Sequence, residues 1–212
     1  MESLRKKAAG RLTVWQALRK PNVLVYALAL CLANVGGYVF VLWLPTTIKK
    51  ASGLPVAQAT AYSALPFIVG LISLLLSGRS SDRTGKHQSH AALPLAFAGL
   101  FLTLSALPGQ SFPVVLMWLS LTAGAAFAWP SSFWVLPTLT LGESAAAASI
   151  GLINSIGNLG GFFGPSVVGY LLSLNYSNTV VVAILSASFM TAAVLVYAVR
   201  VPPEKPRREV EN

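Results

Sequence analysis

Charge is what this sequence has least of. Asp, Glu, Lys and Arg make up 10% of the 212 residues, whereas a soluble domain carries about 25% to keep its surface wet. Acids are scarcest: Glu2, Asp82, Glu143, Glu204, Glu209 and Glu211 are all there are. The one cysteine, Cys31, excludes an internal disulfide and any cysteine-rich metal site, and no metal or cofactor is expected. Short stretches of alternating polarity, the mark of a membrane barrel strand, are also missing.

What is present is apolar. Hydrophobic residues reach 55% and the mean hydropathy is +0.68. Past Lys20 the charge-free runs are Pro21–Ile48, Ala51–Gly78, Ala91–Gly142 and Ser144–Val199. A spanning helix needs about 20 apolar residues, so the first two runs hold one span each. The last two hold two each, parted by turns at Pro108–Pro113 and Leu174–Asn178. An all-α integral membrane protein is expected, with six spans over 22–46, 59–77, 91–108, 112–137, 144–173 and 178–199. The first span exceeds the 7–15 apolar residues of a signal peptide and lacks a small-residue cleavage site, so it reads as retained.

An even number of spans puts both termini on one side, and the basic residues choose the side. Arg5, Lys6, Lys7, Arg11, Arg19 and Lys20 precede the first span, Arg79, Arg83 and Lys86 follow the second, and Arg200, Lys205, Arg207 and Arg208 follow the last. Only Lys49 and Lys50 remain for the opposite face. Both termini are therefore expected in the cytoplasm, of an inner membrane. The formal charge of +9 reads as a topology signal, so no nucleic-acid partner is expected. The organisation expected is a basic N-terminal segment (1–21), a six-helix bundle (22–200) and a cytoplasmic tail (201–212).

Between the second and third spans, "SGRSSDRTGKHQSH" (77–90) holds more than topology needs. Basic residues alone would pin a turn, yet Gly78, Asp82, Arg83, Gly85 and Lys86 add two backbone-permissive glycines and an acid. Asp82 can accept from free N–H groups at a helix N-terminus, and Arg83 and Lys86 can pair with groups at a neighbouring helix end. This stretch resembles the signature loop of the major facilitator superfamily, G-x-x-x-D-R-x-G-[RK], with Ser80 and Ser81 where an apolar and a small residue often stand. The resemblance implies a latch on a cytoplasmic gate, Asp82 meeting the start of the fifth span near Gly142–Ala145.

"LTVWQALRKPNVLVYAL" (12–28), "LWLPTTIKKASGL" (42–54) and "FWVLPTLTLGESAAAASIGLINSIGNLGGFFGP" (133–165), with the basic tail, are similar to the C-terminal half of anion:cation symporters. That family carries organic acids such as tartrate, phthalate and sugar acids. The resemblance implies six helices of a twelve-helix fold, whose N-terminal six-helix half is a missing partner. Trp43-Leu44-Pro45-Thr46 and Trp134-Val135-Leu136-Pro137-Thr138 echo one another. Gly36-Gly37 weakens the first span, and Gly124 with Pro130 the fourth. With the resemblance, these point to a 3+3 inverted repeat around a central site.

On the fifth span Asn154, Asn158, Gly161 and Pro165 share a face at 100° per residue, and Gly157, Gly160 and Gly164 form a stripe about 90° away. The stripe would admit a closely packed helix. Amides inside a membrane face an interior or a cavity, where Asn154 and Asn158 would be interhelical glue or would bind the hydroxyls and carboxylates of a sugar acid. Asn154, nearer mid-span, is the favoured ligand contact. The first span offers Asn34 and Tyr38, four apart. The fourth offers Trp129, Ser131 and Trp134, whose face toward the cavity stays open because Pro130 kinks the helix, while Trp43 and Trp134 also suit interface anchors.

No acidic or basic residue falls inside a span, and His87 and His90 belong to the charged turn or its edge. Proton coupling needs a titratable group in the membrane and an anion needs a cation there. The resemblance places both in the other half. The reading is one wall of a site for a small organic anion carried with a cation, a proton, by alternating access. An intramembrane serine hydrolase lacks a histidine within reach of a nucleophile, so no enzyme is expected. A self-assembling six-helix half-transporter or channel, and an inactive truncated fragment, are the alternatives. A glycine-lined face without its usual neighbours would favour a second copy.

Overall fold

The structure is a computed structural model that describes residues 20–141 and 143–201, with the side chains of 143–147 outside the described set. Every regular element among these residues is helical: α1 (Pro21–Ser52), α2 (Val56–Tyr62), α3 (Ala64–Thr84), α4 (His87–Ser105), α5 (Phe112–Ala128), α6 (Pro130–Phe133), α7 (Leu136–Leu141), α8 (Glu143–Ser173) and α9 (Asn178–Ala198). Among the described residues, four stretches are long and apolar enough to cross a membrane: α1, α2 with α3, α5 through α7, and α9. The other two expected spans are helical but fall outside that group. Helix α4 has 19 residues and opens on His87-Gln88-Ser89-His90, and α8 mixes its apolar residues with Gly, Ser and Asn.

Proline and glycine set the breaks. The first span was expected over 22–46, yet α1 continues through Pro45 to Ser52, because a membrane helix tolerates one lost ladder bond when its neighbours pack on. It stops at Gly53, whose φ of 68° is left-handed and whose N–H donates to Lys49 O at 3.0 Å. At 1.5 Å per residue the 32-residue α1 is about 48 Å long, more than a hydrocarbon core of about 30 Å. The fourth rod breaks at Trp129-Pro130 and again before Pro137, where each proline withholds an N–H from the carbonyl four residues back.

Helix α1 packs along α8 and α9, α3 along α5, and α4 along α5 and α9. The closest approach is α1 to α8, and the glycine stripe makes it. A side chain on Gly157 would enter Leu30, and one on Gly160 would enter the Cys31 carbonyl. At Gly164 a Cβ would lie 2.9 Å from Val35 Cα. These contacts advance together along both helices, so α1 and α8 run parallel. The glycine face of the fifth span is thus filled by α1 of the same chain and supplies no reason for a second copy. Elsewhere Gly124 of α5 sits against Ser73 of α3, a Cβ there meeting Ser73 Oγ at 2.9 Å, and Gly36 of α1 sits under the Phe189 ring of α9. The core between the helices includes Tyr26, Val39, Leu119, Phe133, Ile153 and Phe189, all at most 2% exposed.

Two glutamines close helix ends that the membrane would leave unsatisfied. Gln110 donates to Leu104 O and Leu107 O at 2.8 and 2.9 Å. Gln88, in the first turn of α4, donates to Val196 O, Tyr197 O and Val199 O at 3.1, 2.9 and 2.6 Å. Terminal carbonyls need such partners. Gln88→Leu is therefore expected to cost about 1–3 kcal/mol and to raise amide exchange in the last turn of α9, leaving the first turn unchanged. Equal exchange in variant and parent would remove the cap.

Candidate functional site

The charged stretch 77–90 is less of a loop than expected. Helix α3 continues through Thr84, so Gly78, Asp82 and Arg83 are helical, and α4 begins at His87. Only Gly85 and Lys86 form the turn. Gly85 takes a φ of 64° and its N–H donates to Ser81 O at 2.9 Å. Two serine–histidine pairs brace the corner: Ser81 Oγ shares a hydrogen bond with the buried His87 Nδ1 at 2.7 Å, and Ser80 Oγ with His90 Nε2 at 2.9 Å. Asp82, Arg83 and Lys86 are exposed around it. The expected partner of Asp82, Gly142–Ala145, lies outside the residues whose side chains are described.

The amides of the first and fifth spans come together. Asn34 Nδ2 donates to Gly157 O at 3.0 Å and reaches Asn158 Oδ1 at 3.5 Å. Asn158 Nδ2 in turn donates to Asn154 O at 2.9 Å and to Asn154 Oδ1 at 3.0 Å. The parallel approach of α1 and α8 makes this chain of amides possible. Tyr38 lies one turn beyond Asn34 over Gly161, where a Cβ would come within 3.0 Å of its ring. Asn154, Asn158 and Tyr38 are exposed, and Asn34 is half-buried. Among the described residues the Asn154 amide NH₂ donates no hydrogen bond.

Beside this row lies a cavity of about 240 Å³. Asn34, Gly37 and Tyr38 form one wall, and Phe127, Trp129 and Pro130 the other. Of the fourth rod's three candidates, Trp129 lines this cavity. Ser131 turns away: its Oγ donates to Ala128 O at 2.9 Å and it faces Gly78 of α3, where a Cβ would be 3.6 Å away. Trp134 stands edge-on to Phe133, ring centroids 5.3 Å apart, and does not line the cavity. Two lining residues had no distinct signal as site residues. Gly37 read as a helix weakener, but a Cβ there would meet nothing within 4 Å. Phe127 is one apolar residue in an apolar run, and only its contacts with Gly70 and Phe67 fix its direction.

The sequence model described as Major Facilitator Superfamily matches residues 2–165. The chain belongs to the major facilitator superfamily. Among its relatives, a quinolone resistance transporter of Acinetobacter baumannii is 34% identical across 92% of this chain and 45% of its own length. A protein of Agrobacterium vitis, provisionally named a tartrate transporter, is 33% identical across 81% of this chain and 38% of its own. The inner membrane transport protein RhmT of Escherichia coli is 30% identical across 92% and 45%. This chain thus spans less than half the length of each. As a member of this superfamily it is an integral membrane protein of a transporter family and not an enzyme.

Proposed function

We propose that this chain is the C-terminal six-helix half of a transporter for small organic anions, its amide row closing one side of a central site. The single observation that carries the reading is the exposed row of Asn154, Asn158 and Tyr38 beside the Trp129 cavity. Amides are costly against lipid, so this face belongs against water or a second protein half. The tartrate name of one relative supports an organic acid, whose hydroxyls and carboxylates suit amide donors and acceptors.

Across the membrane-spanning middles of the helices there is no Asp, Glu, Lys, Arg or His; Arg79, Asp82, Arg83, His87 and His90 gather where α3 ends and α4 begins. The cation that receives the anion and the group that carries the proton therefore sit in the partner half, and both termini face the cytoplasm. Packing supports a 3+3 inverted repeat. Exchanging the first three rods for the last three turns α1 on α8 into α5 on α3, and α4 on α5 into α9 on α1, while α4 on α9 maps onto itself, so the main contacts are unchanged as a set. Rocking of the two halves would alternate access, with Asp82 latching the cytoplasmic side.

Cells expressing this chain together with the N-terminal six-helix half of the Agrobacterium relative are expected to take up labelled tartrate, and neither half alone is. A co-purifying pair that takes up no tartrate above empty cells would overturn the reading.

A further inference from the structure

A second cavity, of about 300 Å³, lies at the end of the bundle that carries Lys49 and Lys50. Its walls come from α1, α4, α5, α8 and α9, all within this chain, so it needs no partner half to form. It shares only Phe40 with the Asn34–Trp129 cavity, and that ring, 4% exposed, stands between the two.

The cavity has two chemically distinct zones. Its depth is apolar and buried: Val39, Leu44, Leu119 and Leu185 are between 0% and 4% exposed. Its exposed polar lining residues are Thr46, Thr47, Lys50 and Asn178, one ammonium beside hydroxyls and an amide. No lining residue is acidic. Outside the two terminal segments the acids of the chain are Asp82 and Glu143, and Asp82 lies at the far end of α3. Lys50 is therefore a cation at the rim of an apolar well with no carboxylate of the well to neutralise it.

We propose that this cavity binds a monoanionic carboxylate amphiphile, its head on Lys50 and Asn178 and its tail against Val39, Leu119 and Leu185. The apolar depth rejects a hydroxyl-rich sugar acid, whose buried hydroxyls would find no partners. The volume sits at the small end of ligand sites, which selects a single medium-length tail. The site is thus separate from the Asn34–Trp129 cavity, and it is a place where an apolar acid would act on the bundle from the Lys50 end.

The lining Trp43 provides the readout. The 212-residue chain in phosphatidylcholine nanodiscs is titrated with bromine-labelled octanoate, whose bromine quenches a tryptophan in contact. Saturable quenching is expected in the parent and is expected to vanish in Trp43→Phe. Lys50→Gln should weaken it about tenfold, the loss of one charge-assisted hydrogen bond, and Lys50→Arg should restore it. The neutral brominated octanol should quench without saturation, as partition into lipid does. Saturation that persists in Trp43→Phe, equal affinity in Lys50→Gln, or equal saturation by the alcohol would each overturn the assignment.

Discussion

Gly160→Ala is expected to force α8 away from α1 and to be the most damaging single-methyl change in the bundle. The Cβ it adds would occupy the space of the Cys31 carbonyl oxygen, and a backbone atom inside a packed helix cannot swing aside as a side-chain tip can. Overpacking of this kind costs about 1–3 kcal/mol, and here the clash is with main chain, so the upper end applies. Gly151→Ala on the same helix is the control. A Cβ there meets nothing within 4 Å, and helix propensity favours alanine by up to about 1 kcal/mol. Thermal unfolding in detergent should show Gly160→Ala melting well below the parent and Gly151→Ala at or above it. Coincident melting of the two variants would mean that α1 and α8 are not packed through this stripe.

The second large effect is on transport. In the assembled two-half transporter, Asn154→Ala is expected to lower uptake about ten- to hundredfold, the cost of removing a hydrogen-bond group from a site built around it. Melting of the chain should hardly change, because Asn154 is exposed and its side chain only accepts from Asn158. Ser173→Ala, at the end of the same helix, where the hydroxyl donates to Tyr170 O, should leave uptake near the parent. Asn34→Ala should show a mixed pattern, since its amide donates across to Gly157 O and binds the two helices together. Equal uptake by Asn154→Ala and Ser173→Ala would take Asn154 out of the site.

Some of this was readable from residues alone, for definite reasons. Glycines at 157, 160 and 164 fall on one helical face, so a close helix contact follows from periodicity, though its partner does not. The pairing of Asn34 with Gly157 crosses 123 positions, and no local pattern reports a contact that distant. The ends of the first two spans were not legible: the second was expected to stop at 77 and the first at 46, yet α3 runs to the left-handed Gly85 and α1 through Pro45 to the left-handed Gly53. The charged stretch read as a loop because its residues are polar, yet polar residues at the wet end of a membrane helix are as compatible with the last turn of α3 as with a loop. The orientation of Ser131 away from the cavity and of Trp129 toward it depends on the breaks around Pro130, whose angles sequence periodicity cannot supply.

The most direct measurement uses the chain by itself. Purified protein is reconstituted into vesicles, a pH gradient is imposed, and labelled tartrate is followed inside. With no Asp, Glu, Lys, Arg or His in the membrane-spanning middles of its helices, the chain alone is expected to hold tartrate no higher than vesicles without a gradient. Accumulation above the external concentration, driven by the gradient and collapsed by a protonophore, would contradict the account.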